Sequence, residues 1–288
     1  MREEPLTYGD WDARTRLRAD RLDLERARAM QALLRAPAGP LRSGDPLPAL
    51  WHWLYFWAVA PQDALGPDGH PARGGDLPPV ALPRRMWAGS RFRFLAALPL
   101  GRPAERRSRV VAIEEKQGRS GPLVFVTDRH EIAGAHGPAV EEEHDIVYRA
   151  APRGDAAAQP PLGPPLEPPG AAQWQRAVTP DPVLLFRYSA LTFNGHRIHY
   201  DRDYCREAEG YPGLVVHGPL LATYMVALAV ESQPGRRLAG FSFRALAPVF
   251  DTAGFRVAAR PGAEEGVLET WIAGAEGDLR MRGEAVFA

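Results

Sequence analysis

Helical spacing appears first over residues 22–35, where Leu24, Ala27, Met30, Leu33 and Leu34 fall on one face. Asp23 stands where an N-cap belongs, and Pro37 and Gly39 stop the helix. Residues 46–61 are dense in aromatics and read as a core segment or as the lining of a ligand pocket. Residues 62–83, rich in Gly, Pro and Asp without periodicity, read as a loop. The period then changes to two in parts of 91–94, 109–115, 122–131 and 143–148, which predicts about four antiparallel strands. Residues 151–172 carry seven prolines and no helix or strand pattern, so they predict an extended linker between a domain over 1–150 and one over 173–288.

Beyond the linker the order repeats. A mixed segment, 183–210, leads into residues 217–231, apolar almost all round, which predicts a helix buried at the centre of a domain. Strand-like runs follow at 237–246, 254–260, 266–273 and 279–287, separated by turns such as Pro261-Gly262 and Glu276-Gly277. Two α+β units, each a sheet wrapped on a helix, account for this order. The first unit's helix is then expected within residues 48–60, and pairing of the two sheets edge to edge protects both edges.

Composition narrows the partners. Lys+Arg and Asp+Glu are 35 each, so nothing predicts a general electrostatic grip on nucleic acid or on an anionic membrane. The single cysteine, Cys205, excludes an internal disulfide. No stretch reaches the ~18 apolar residues of a membrane span. The charged first twenty residues lack the core of a signal peptide, and a cytoplasmic protein is expected.

The polar residues able to handle protons gather between Phe186 and Ala229: Asn194, His196, His199 and His217. His196 and His199 stand in a His-x-x-His pattern, but no carboxylate or further ligand has tell-tale spacing, so neither a metal nor a cofactor is expected. Cys205 lies in a charged stretch without an obvious base, and neither a Gly-x-Ser-x-Gly motif nor a nucleotide-binding glycine loop occurs. General acid–base work remains. His199 can exchange a proton near neutrality, Asn194 can hold a water or orient that imidazole, and the Gly218 N–H, where the loop enters the helix, can receive a developing oxyanion. Those roles suit addition of water to a double bond conjugated to a carbonyl, or its reverse. The same residues could equally satisfy one another in a tight loop, and spacing alone does not separate the two readings.

Residues 190–201, ALTFNGHRIHYD, followed by HGPL at 217–220, resemble the hydratase motif of the MaoC-like (R)-specific enoyl-CoA hydratases, a Ser-Gly-Asp-x-Asn-Pro-Leu-His-x-Asp run with a later His-Gly element. His199 falls on that family's catalytic His, Asn194 where its catalytic Asp stands, and Gly218 on its oxyanion glycine with one inserted residue. An amide cannot accept and return a proton as a carboxylate does, so the departure at Asn194 shifts the proton work onto His199. Residues 47–56, 82–94, 142–149 and 186–201 together resemble a bacterial branch of double hot-dog dehydratases that includes mesaconyl-CoA and itaconyl-CoA hydratases and is related to mitochondrial 3-hydroxyacyl-thioester dehydratases. The resemblance implies a hot-dog fold in each half and an acyl-CoA thioester between them. It makes the second half catalytic and the first an acyl pocket. A C5 dicarboxylic enoyl-CoA needs a cation at its far carboxylate, for which Arg84, Arg85 and Arg197 are candidates, each with solvated surface arginine as the plain alternative. His217 is expected beside the substrate and His196 as a structural residue. A homodimer is compatible with this reading. The rivals are a fatty-acid-synthesis 3-hydroxyacyl-thioester dehydratase and a non-catalytic acyl-CoA-binding hot-dog protein.

Overall fold

The computed structural model describes residue 11 and residues 14–35, 39–72, 74–118, 121–150 and 165–288. The first half runs β1 (Arg16–Arg21), α1 (Leu24–Leu34), β2 (Arg84–Phe94), β3 (Pro103–Gly118), β4 (Gly121–Gly134) and β5 (Gly137–Arg149). The second runs β6 (Trp174–Val178), α2 (Pro182–Thr192), α3 (Arg202–Glu207), α4 (Gly218–Ser232), β7 (Leu238–Ala245), β8 (Phe255–Pro261), β9 (Val267–Ala273) and β10 (Leu279–Phe287). All ten strands form one sheet in the order β1-β3-β4-β5-β2-β7-β10-β9-β8-β6. Each strand of the first half is matched by the one five further along, and β2 pairs antiparallel with β7 at the middle. The double hot-dog and its edge-to-edge join are thus met. Most of the expected linker, residues 151–164, lies outside the described residues; residues 165–172 carry no helix or strand.

Local chemistry explains the helices. The Asp23 carboxylate accepts the Arg26 N–H at 2.9 Å and caps α1, as its position predicts. Leu220, Leu221, Ala222, Met225 and Ala229 of α4 are buried, and β6 to β10 wrap around them. A helix without a polar face is stable only in such a place. The seam between halves is aromatic: Phe92 of β2 lies 6.2 Å from Phe241 and 6.4 Å from Phe243 of β7. Gly89 lets the strands approach there, since a Cβ on it would fall 2.3 Å from the Phe243 carbonyl oxygen.

One expectation fails. Residues 48–60 hold no central helix, only a 3₁₀ turn at Trp51–Leu54. Leu50 and Phe56 take left-handed conformations (φ 69° and 60°), which end helical winding on both sides. A buried carboxylate fixes the turn instead. Glu142 of β5 receives hydrogen bonds from His52 Nε2 (3.1 Å), Trp53 Nε1 (3.2 Å) and Ser90 Oγ (3.3 Å). Burial alone would raise this carboxyl, but the bond and charge of His52 outweigh it and hold it down at about 2. The aromatic turn also packs on β2, the Trp53 ring meeting those of Trp87 and Phe92. Among the described residues, no helix is long and apolar enough to cross a membrane.

Candidate active site

The motif region begins where α2 stops. Asp181 caps its start through the Leu184 N–H (2.8 Å), and Phe193 ends it in a left-handed conformation that turns the chain sharply. Asn194 then makes its own turn: its Oδ1 accepts the His196 N–H at 3.0 Å, leaving one lone pair and two amide hydrogens. A 3₁₀ turn, Arg197–His199, carries His199 beneath the start of α4.

His199 Nδ1 lies 2.7 Å from the Val215 carbonyl oxygen. A carbonyl can only accept, so Nδ1 carries the hydrogen and Nε2 of the neutral ring keeps its lone pair. Burial lowers the His199 pKa to about 4, against the opposing backbone bond, so the ring is neutral at pH 7. His217, the residue before α4, stacks under His199 at 3.6 Å between ring centroids and shares a 2.8 Å hydrogen bond with Ser189 Oγ through Nε2. Both rings are buried, His199 at 7% residue exposure and His217 at none. Gly218 opens α4, and its N–H is among the leading donors that no carbonyl within the helix can satisfy. The helix dipole adds partial positive charge at the same place.

The arginines separate by their partners. Arg84 pairs with Glu209 at 3.1 Å. Arg197 holds Asp201 through Nε (2.9 Å) and one terminal nitrogen (2.7 Å), and its guanidinium lies over Tyr204. The Arg85 charge bears instead on His70, His196 and His144.

Asp68 and His70 lie within residues 62–83, whose local pattern marks only a loop. His70 Nδ1 donates to Asp68 Oδ2 at 3.0 Å, and its ring lies 4.0 Å from that of His196. Burial lowers the His196 pKa most, and the adjoining His70 and His199 lower it further, to about 2. Donor atoms of Asp68, His70 and His196 lie within 4.8 Å of one another, so this group could hold a divalent cation. The His70–Asp68 bond, however, already spends one donor atom of each on the other. The available signal was a pair of matching triplets, Asp68-Gly69-His70 and Asn194-Gly195-His196.

Comparison with known proteins supplies the family and the fold. A model of the family "hydroxyacyl-thioester dehydratase type 2" matches residues 50–251. The mesaconyl-C(4)-CoA hydratase of Chloroflexus aurantiacus is 50% identical over 260 residues, covering 90% of this chain and 91% of that protein. Among solved structures, a MaoC-like dehydratase from Phytophthora capsici superposes with a TM-score of 0.68 at 14% identity, covering 96% of this chain and 95% of its own. A Mycobacterium tuberculosis protein described as a double hotdog fold gives 0.55 at 16% identity, with 96% of each chain covered.

Proposed function

The chain belongs to the hydroxyacyl-thioester dehydratase type 2 family, and from that premise we propose that it is a hydro-lyase that adds water to a short dicarboxylic enoyl-CoA, taking mesaconyl-CoA to citramalyl-CoA. The observation that carries the chemistry is the His199 Nδ1–Val215 bond, which leaves the Nε2 lone pair of a neutral ring free, on a ring stacked against His217 at the opening of α4. The substrate rests on the half-identical Chloroflexus relative.

In this reading Nε2 of His199 takes a proton from water as the water oxygen bonds to the β-carbon. The double-bond electrons pass to the thioester oxygen, where the Gly218 N–H receives the negative charge. The imidazolium then returns a proton to the α-carbon on the same face. One water is consumed, no proton is left over, and the addition is syn. The second lone pair of Asn194 Oδ1 accepts the other water hydrogen.

In the C(4) thioester of mesaconate the β-carbon bears both the methyl group and the second carboxylate. The cation for that carboxylate must therefore stand close to the attacking water. Arg85 suits this better than Arg84 or Arg197, whose guanidinium groups are held by Glu209 and Asp201. His217 acts from beneath His199. Residues 1–150 serve as the acyl-pocket unit and 173–288 as the catalytic unit, with 151–172 connecting them. The aromatic turn across the first half supports a short acyl group over the long chains of fatty-acid synthesis.

The test is hydration of mesaconyl-CoA, itaconyl-CoA, crotonyl-CoA and octenoyl-CoA, followed by loss of enoyl-thioester absorbance. Preference for the dicarboxylic substrates, abolished in Arg85→Ala, is expected. Turnover of octenoyl-CoA alone would favour the fatty-acid dehydratase, and tight binding without turnover the acyl-CoA-binding protein.

A further inference from the structure

The residues around the motif include a second turn of the same build, contributed by the other half of the molecule. Asp68 Oδ1 accepts the His70 N–H at 3.0 Å, as Asn194 Oδ1 accepts the His196 N–H at 3.0 Å. The two turns face each other glycine to glycine. A Cβ on Gly69 (φ 83°) would fall 2.0 Å from the Gly195 carbonyl oxygen, and one on Gly195 would fall 2.8 Å from the Gly69 carbonyl oxygen. Only bare backbone fits on either side. The Arg197 N–H donates to the Asp68 carbonyl at 2.9 Å, and its guanidinium donates to the Pro67 carbonyl at 3.1 Å. The His70 ring lies on the His196 ring, 4.0 Å between centroids. The Asp68 turn is itself closed, by Gly66 N–H to the His70 carbonyl (2.7 Å) and Gly69 N–H to the Gly66 carbonyl (2.9 Å).

This arrangement answers a deficit in the motif. The motif that residues 190–201 resemble has an aspartate where this chain has Asn194, whereas Asp68 supplies a carboxylate in the facing turn. That carboxylate fixes His70, with Nδ1–H toward Asp68, and so fixes the ring against which His196 rests. His196 lies between His70 and His199, whose ring stands nearly perpendicular to it at 5.5 Å. The loop that holds the reacting imidazole is thus clasped from outside by a rigid turn.

We propose that Asp68 and His70 are positioning residues of the catalytic loop, contributed by the amino-terminal half, which hold His196 and His199 in their reactive arrangement in place of the carboxylate that Asn194 lacks. The amino-terminal half then does more than shape an acyl pocket, and the active site is complete only where the two turns meet. Gly69 and Gly195 set the approach.

The proposal rests on the hydratase reading for its kinetic arm alone. Asp68→Asn and His70→Ala should each lower kcat on mesaconyl-CoA by about 10–10²-fold, the size of effect expected when a catalytic group is displaced by a fraction of an ångström to an ångström. KM and Tm should stay near those of the unaltered protein, and Asp68→Glu should recover much of the loss. Hydrogen exchange of the backbone amides at 194–201 should quicken in both deleterious variants. Either variant keeping kcat within about twofold of the unaltered protein overturns the proposal, because no transition-state interaction has then been lost. If the unaltered protein hydrates none of the enoyl-CoAs, the hydratase reading falls and exchange alone decides. Quickened exchange at 194–201 then upholds the positioning role, and unchanged exchange overturns it.

Discussion

His199 keeps its hydrogen on Nδ1 because the Val215 carbonyl can only accept, and that one bond makes Nε2 the basic nitrogen. General acid–base catalysis commonly contributes ~10²–10⁴-fold, so His199→Ala should lose about that much in kcat while still binding thioester. Asn194→Ala should lose less, because in the proposed mechanism the amide orients water and closes its own turn but carries no proton. Asn194→Asp should keep partial activity with an altered pH profile; near-full activity in His199→Ala would move the proton work to His196 or His217. The buried ring, with its pKa lowered to about 4, also fixes the acid limb. Since the neutral form is the base, kcat should be level from neutrality down through the ordinary histidine range and decline only as pH approaches that value. A limb centred near the usual ~6.5 would mean that His199 becomes more exposed in the working enzyme.

Elements decide what surrounds that residue. In the second half α4 packs against the sheet, whereas residues 48–60 of the first form an aromatic turn pinned to Glu142 by His52 and Trp53. Trp53→Ala should open space beside Trp87 and Phe92. The ratio of kcat/KM for octenoyl-CoA to that for mesaconyl-CoA should then rise by about tenfold or more, the usual scale for hydrophobic pocket selection. An unchanged ratio would place the acyl group elsewhere. The seam offers a purely structural test. In Gly89→Ala the new methyl meets the Phe243 carbonyl, and a shift of packed strands costs about 1–3 kcal/mol. The expected result is a lower urea midpoint, and an unaltered midpoint would show that the β2–β7 seam yields freely. The sequence disclosed α1, α4 and the eight long strands, because period two and period 3.6 are local signals. It did not disclose β1, β6 or α2. The first two are short outer strands, and the segment holding α2 reads as a mixture.

Across the whole molecule, several histidines are buried in neutral form. Burial is the leading cause in each case, lowering His144 and His199 to about 4 and His196 to about 2. All three lie below the unfolded value of ~6.5, so between these limits the unfolded chain binds more protons than the folded one. Stability must therefore be fully present above about pH 6.5 and fall as pH drops toward 4. Glu142, held at about 2 by His52 against its burial, extends the decline below the ordinary carboxylate range. Tm measured from pH 7.5 to 4.5 should fall steadily below 6.5, and His144→Phe should flatten that slope; a Tm indifferent to pH over this range would contradict neutral burial.

The sequence by itself determined the eight long strands, the helix with no polar face, and the gathering of Asn194, His196, His199 and His217 in one short stretch. Each of these is written in neighbouring residues, as a period, a cap or a motif. Only the tertiary structure decided the rest. The aromatic segment became a turn because Glu142, some ninety residues away, needed donors in a buried place. Arg85 was separated from Arg84 and Arg197 by partners that no local spacing reveals. Asp68 and His70 met the motif because two glycines, far apart in the chain, allow two backbones to touch. Contacts of that kind depend on where the folded sheet brings distant loops, and a linear pattern carries no record of it.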